Sequence, residues 1–437
     1  MTNSKLKDSN IEWLGKIPSN WNLIKGKYLF TLRTTKGNTK QVELLSPTQE
    51  YGVIPQKLYE KLTGMRPVKL KSNTDLNQMK SIYKGDFCIS LRSFQGGFEY
   101  SNYDGIVSPA YQVFYPSKQV NRNYFKYLFK DKSFIQKLNS YTMSLRDGKN
   151  IAFSDFGNTY LPFPALDEQN KIADFLDKKV SQIDDISKKI QQEITDLEEY
   201  RKSIITKAVT KGIDKNVPIK NSGDKMIGEI AASFKLVPLK YVANYNLHTL
   251  SDDTNPDFCF KYIDIGSVTT GHINKYQKLR FADAPSRARR LVKNNDIIIS
   301  TVRTYLKAIA FIQDLQKTTV VSTGFIVLSP KKNLIDPVYL RYAIENESFI
   351  SKVQAYSVGI TYPAINSSTI MNFKLVYPPF NAQKEIASYL DKKCKSINQI
   401  IEKKRTLINS LNQYKQSIIY EYVTGKKQVS SEEGVQE

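Results

Sequence analysis

The sequence predicts an α/β (α+β) protein with an internal pseudo-twofold repeat. Two similar mixed α/β domains are joined and spaced by two long helices that form an antiparallel coiled coil. Three observations predict this. Residues 169–210 align with 383–424 at a constant offset of 214 with no gap, and 18 of the 42 positions are identical. Apolar residues in both segments recur at the 3.5-residue period of a coiled-coil seam. The stretches before each segment also correspond, more loosely. Internal repeats are read first because they decide the architecture.

The shared helical residues include Gln169/Gln383, Ile172/Ile386, the run Leu176-Asp177-Lys178-Lys179/Leu390-Asp391-Lys392-Lys393, Tyr200/Tyr414 and Val209-Thr210/Val423-Thr424. In the first copy Leu176, Ile183, Ile190, Leu197 and Ile204 are spaced by seven, with Ile172, Ile186, Ile194 and Ala208 between them. In the second, Leu390, Ile397, Leu411 and Ile418 form one row. Ile386, Ile400, Leu407 and Tyr414 are expected to form the other, and Lys404 interrupts the seam where the first copy has Ile190. Asp167 and Asn381 follow proline-containing approaches and are expected as N-caps. Gly212 and Gly425 are expected as left-handed C-caps. Each helix should run about 44 residues, roughly 65 Å. Neither is stable alone with an apolar stripe in water, so the two are expected to pack on each other.

The segment WLGKIPSNWNLIKGKY (13–28) matches MIGEIAASFKLVPLKY (226–241). DFCISLR (86–92) resembles DIIISTVR (296–303), and IVSPAYQVFYP (106–116) resembles VVSTGFIVLSP (320–330). YFKYLFKDKSFIQKL (124–138) resembles YLRYAIENESFISKV (339–353), each read as one amphipathic helix. The expected division is therefore residues 1–160 and 216–375 for the domains, 161–215 and 376–426 for the helices, and 427–437 for a flexible tail.

Lys and Arg number 64 against 42 Asp and Glu, a formal charge of +22, which favours a polyanionic partner such as nucleic acid. No segment pairs a basic face with an aromatic one, and no apolar run reaches membrane-spanning length, so no membrane partner is expected. The start MTNSKLKDSN lacks the apolar core of a secretory signal, and Cys88, Cys259 and Cys394 form no CxxC pair, so a reducing cytoplasm is expected. His248 and His272 have no metal-ligand spacing and read as loop histidines. There is no GxxxxGK[ST] or GxGxxG motif, and NPDF (255–258) has no cofactor motif before it. No metal, cofactor or catalytic residue is expected in this chain. Candidate DNA contacts are Arg92, Gln95, Arg146 and Lys149 in the first domain. In the second they are Arg289, Arg303, Tyr305, Lys307 and Tyr362. Arg and Lys suit phosphates, and Arg and Gln can also pair with base edges in the major groove.

The duplicated run PALDEQNKIADFLDKKVSQID/PPFNAQKEIASYLDKKCKSIN, the opening W-L-G-x-I-P-x-x-W and the strands GDFCIS and NDIIIS resemble the specificity subunit of type I restriction–modification enzymes. The resemblance covers nearly the whole chain, with Ala382-Gln383 where the family usually has Glu-Gln. It implies two target-recognition domains, each reading one half of a bipartite, asymmetric DNA site. The helices would set the spacing and dock two methyltransferase subunits. S-adenosylmethionine, ATP and magnesium would sit on those partners and on restriction/translocase subunits that can join them. The alternative reading is a coiled-coil protein-interaction scaffold with non-specific nucleic-acid affinity.

Overall fold

The computed structural model describes residues 5–36, 43–65, 76–89, 97–141, 151–214, 216–313, 315 and 317–429. The chain packs as two units, one of residues 1–190 with 406–437, the other of residues 191–405. The division cuts through both long helices, so each unit owns part of each.

Both units contain the same four-stranded antiparallel sheet. In the first, the order is Phe30–Leu32, Gln112–Pro116, Phe87–Ile89 and Glu99–Tyr100. In the second, it is Ala243–Tyr245, Phe325–Pro330, Ile297–Ser300 and Ile309–Phe311. The aligned motifs account for the two central strands of each. Their acids close the turn before the strand: Asp86 accepts from the Tyr83 amide at 2.9 Å and Asp296 from the Lys293 amide at 2.7 Å. The cores differ in chemistry. Phe30, Phe87, Phe98, Phe114, Phe129 and Phe156 pack mostly edge-to-face in the first unit, whereas Ile297, Ile299, Ile326 and Leu328 occupy the second. Beyond the shared sheet the units keep one strand order but pair it to different extents, the first joining its two strand pairs through a single parallel bridge, Leu44 to Ile106. The second has a four-stranded mixed sheet in the order Gln277–Arg280, Cys259–Ile263, Thr319–Ser322 and Ala288–Val292. The corresponding region of the first holds two-stranded pairs, Leu45–Thr48 with Gly52–Pro55 and Lys80–Ile82 with Gly105–Val107.

Each expected Ser-Phe-Ile helix is in fact two. Helices Arg122–Leu128 and Lys132–Ser140 are divided at Asp131, whose carboxylate accepts from the Ser133 and Phe134 amides. Helices Pro337–Glu345 and Glu347–Ala355 are divided at Asn346, which accepts from Ser348. The amphipathic period runs through the break, which is why the cap inside it is hard to see in sequence.

The long helices span Leu166–Lys211 and Phe380–Val423. Asp167 and Asn381 therefore lie within the first turn and are not N-caps. The duplicated glutamine has the structural role there. Fully buried Gln383 donates to the Pro378 carbonyl at 3.0 Å and accepts from the Asp336 amide at 2.9 Å, and Asp336 caps the helix that follows it. Gln169 does the same with Pro164, at 2.9 Å, and Asn121, at 2.9 Å. The duplicated Asp177 and Asp391 accept from the hydroxyls of Tyr127 at 2.6 Å and Tyr342 at 2.8 Å. The shared helix motif is thus a clamp that fixes each domain to its helix. Gln383→Ala leaves a buried amide and carbonyl unpaired, at a cost of about 2 kcal/mol. Calorimetry should show a lowered unfolding temperature, and an unchanged one would refute the clamp.

Gly212 and Gly425 end the helices at φ +79° and +72°, as expected. At Gly425 a Cβ would meet Pro18 at 2.3 Å, because the hairpin of Leu6–Asp8 with Lys16–Pro18 closes over the helix end. Lys426 holds that hairpin through the carbonyls of Leu14, at 2.6 Å, and Lys16.

Within the first unit the helix segments run antiparallel, with Phe175 against Tyr422 at 4.4 Å between ring centroids and Asp184 bonded to Lys415 at 2.5 Å. Within the second, Arg405 reaches Glu198 at 3.1 Å and Arg201 reaches Asn398 at 3.4 Å. The first heptad row is buried or half-buried throughout: Leu176, Ile183, Ile190, Leu197, Ile204, Leu390, Ile397, Leu411 and Ile418. In the second row Ile172, Ile194, Ala208 and Ile386 are buried as expected, and the other expected members are not. Ala173, Val180, Ile194 and Ala208, with Ala387, Cys394, Ile401, Ile408 and Tyr422, turn inward. Ile186, Ile400, Leu407 and Tyr414 face solvent, as does Tyr200. A heptad seam alternates three- and four-residue steps, and those residues sit one position off it. Lys404 does not break the seam, since it pairs with Glu193 across it.

Candidate nucleic-acid interface

In the second unit the strand Ile297–Ser300 runs out into Arg303, Thr304–Leu306 and Lys307. Arg303 and Lys307 both adopt left-handed backbone, φ +52° and +49°, around a single 3-10 turn. A non-glycine residue there costs about 1–2 kcal/mol, so two in five residues mark a loop held in shape by its surroundings. The holding contacts are visible. Thr304 Oγ1 donates to Ser357 Oγ at 2.8 Å, and the Ile365 amide donates to the Thr301 carbonyl at 2.8 Å. These bonds bring the loop beside residues 356–364, and the Arg303 guanidinium lies 5.0 Å from the centroid of the Tyr362 ring.

Arg303 and Tyr362 line a cleft of about 380 Å³ with Asp264, Gly266, Arg287 and Ser322 among its walls. Two guanidinium groups, one carboxylate, a hydroxyl and a phenol in one cleft supply the donors and acceptors that base edges present in the major groove. Tyr305 is exposed on the same turn. Lys307 is half-buried and reaches Glu347 at 3.6 Å, a carboxylate that it shares with Lys202.

Arg289 is not in the cleft. The strand Ala288–Val292 bulges between Ala288 and Arg290, which turns Arg289 onto the Phe281 ring at 4.6 Å and toward Asp252 at 3.5 Å. Its neighbour Arg287, which sequence reasoning passed over, takes the place in the cleft; the run Ser286–Arg290 holds the only hint of it. Arg290 points inward to the Asn246 side chain at 2.8 Å and the Phe325 carbonyl, and burial pushes its guanidinium below the ordinary value.

Arg92, Gln95, Arg146 and Lys149 lie outside the described residues. Among the described basic residues of the first unit, Arg33 is bonded to Asp86 at 2.6 and 2.9 Å and stacked between Tyr83 and Tyr115, a structural role. Lys130 meets buried Glu99 at 2.7 Å; burial pushes that carboxyl up to about 7, against the pull of Lys130. His272 is held below its ordinary value by burial and by Arg201, with Glu345 opposing. Among the described residues no group of three or more His, Cys, Asp or Glu side chains could hold a metal, and no helix is long and apolar enough to cross a membrane.

Two domains of one sheet plan, with divergent basic loops and a shared helical framework, define a two-headed DNA-recognition class. The chain belongs to the type I restriction modification DNA specificity family, whose domain matches residues 18–196 and again 234–413. It is 26% identical over 316 residues to the type I restriction enzyme MjaVIII specificity subunit of Methanocaldococcus jannaschii, covering 67% of this chain and 68% of that one. It is 28% identical over 172 residues to the HindI specificity subunit of Haemophilus influenzae, covering 36% and 38%. A solved chain from work on complex assembly and conformational transition of the type I R-M system superposes with a TM-score of 0.68, covering 94% of this chain and 99% of that one. At 13% identity that match shows the fold.

Proposed function

We propose that the chain is the non-catalytic DNA-sequence-specificity subunit of a type I restriction–modification complex. Each globular domain reads one half of a bipartite, asymmetric site. The long helices set the separation of the halves and dock two methyltransferase subunits. One observation carries this reading. The two units keep the same four-stranded sheet and the same glutamine and aspartate clamps, yet carry different sequences after the matched strand, LRSFQGGFEY in one and TVRTYLK in the other. A common mount with dissimilar heads suits a target with two dissimilar halves. The exposed apolar residues on the outer faces of the helices, Ile186 and Tyr414 in one unit and Tyr200 and Ile400 in the other, suit protein docking at both.

In this reading S-adenosylmethionine, ATP and magnesium belong to the partner subunits, restriction/translocase subunits are further partners, and the complex works in the cytoplasm. The excess of basic residues supplies sequence-independent phosphate contacts that fade steeply with salt. Co-expression with the cognate methyltransferase, followed by methylome sequencing, should reveal adenine methylation at two defined half-sites across a fixed gap. A single contiguous motif, or no motif with weak sequence-independent binding, would favour a scaffold instead.

A further inference from the structure

Residues 356–364 form a ribbon-like loop closed by a single antiparallel bridge. The amides and carbonyls of Val358 and Ala364 are mutually bonded at 2.8 and 2.9 Å, and Ala364 bridges to Val302 on the Arg303 loop. Gly359, at φ +113°, turns the chain at its end. The base is fixed by the Ser357 hydroxyl, which bonds the Val353 carbonyl at 2.6 Å, and by Tyr356 packed edge-on against Phe373. The tip is apolar and unshielded: Val358 is 80% exposed and Ile360 102%, with Tyr362 beside them. A bridged loop that holds β-branched side chains in water beside Arg303 is matched to a polyanion that has apolar groups within reach.

Duplex DNA has such groups on its base edges in the major groove, where the thymine 5-methyl lies, and that groove is wide enough to admit a protruding loop of this size. We propose that this loop is a base-reading element of the second unit, and that Ile360, with Val358, contacts thymine 5-methyl groups in the major groove. The proposal rests on the DNA-reading function above and names a ligand group for one domain. Arg303 and Arg287 hold phosphates or guanine edges alongside.

The test uses the assembled complex with its methyltransferase and duplexes carrying the site found by methylome sequencing, each thymine replaced in turn by deoxyuridine. At one or two thymines of a single half-site, loss of the methyl should weaken binding by about fourfold, the factor for burying one methyl-sized group. Ile360→Ala should bind the thymine and deoxyuridine duplexes equally at those positions. Ile360 is fully exposed, so the variant should keep the parent melting temperature. An intact thymine preference in Ile360→Ala overturns the proposal, while the bipartite site itself would still stand. So does a half-site with no thymine on either strand. Impaired methyltransferase assembly in the variant does so too, by assigning the loop to a protein partner.

Discussion

Arg303→Ala should reduce discrimination at one half of the recognised site by roughly tenfold or more and leave the other half as it was, the loss expected for one bidentate base contact. Arg303 is held in a left-handed conformation by its loop and lies over Tyr362, so little ordering is left to occur on binding. Arg303→Lys should not restore discrimination, because an ammonium cannot make the paired bonds of a guanidinium. Binding by the assembled complex to duplexes varied one base at a time in each half measures both. Equal loss in the two halves would contradict the two-headed reading.

Inserting one heptad into each long helix, after Ile190 and after Arg405, should abolish methylation of the original site and create a new one. The half-site sequences should persist and the gap should widen by up to about three base pairs, since seven helical residues add about 10.5 Å. Seven residues preserve the seam's phase, so the pairs Asp184–Lys415 and Glu198–Arg405 should survive. Insertion in one helix alone should misalign those pairs and lower stability. Methylome sequencing reads the gap directly, and an unchanged gap would remove the helices from the role of spacer.

Much of the framework was legible because it is local. The heptad row from Leu176 to Ile204 and the glycines at 212 and 425 report backbone periodicity and a left-handed cap, which short sequence windows carry. The sheet motifs around Asp86 and Asp296 could be paired because their turns are built from neighbouring residues. The second seam row was misassigned in part because Ile400, Leu407 and Tyr414 also repeat at seven, and spacing alone cannot tell a seam from the face beside it. Whether Lys404 breaks a seam depends on Glu193, far away in sequence.

The candidate site was legible in its residue types and less so in its membership. Arg303 and Tyr362 were both marked as candidate DNA contacts, but nothing local in the sequence joins them. Arg289 was marked and Arg287 was not, yet a bulge turns Arg289 onto Phe281 and Arg287 lines the cleft.

The sequence by itself determined the duplication, the helical framework, the basic charge and hence the kind of partner, all of which follow from spacing and composition. Tertiary structure alone decided which arginine faces the cleft, which helix face is left for docking, and why a glutamine and an aspartate recur in both copies. Those outcomes depend on hydrogen bonds and packing between segments far apart in the chain, and no short window of sequence contains both partners.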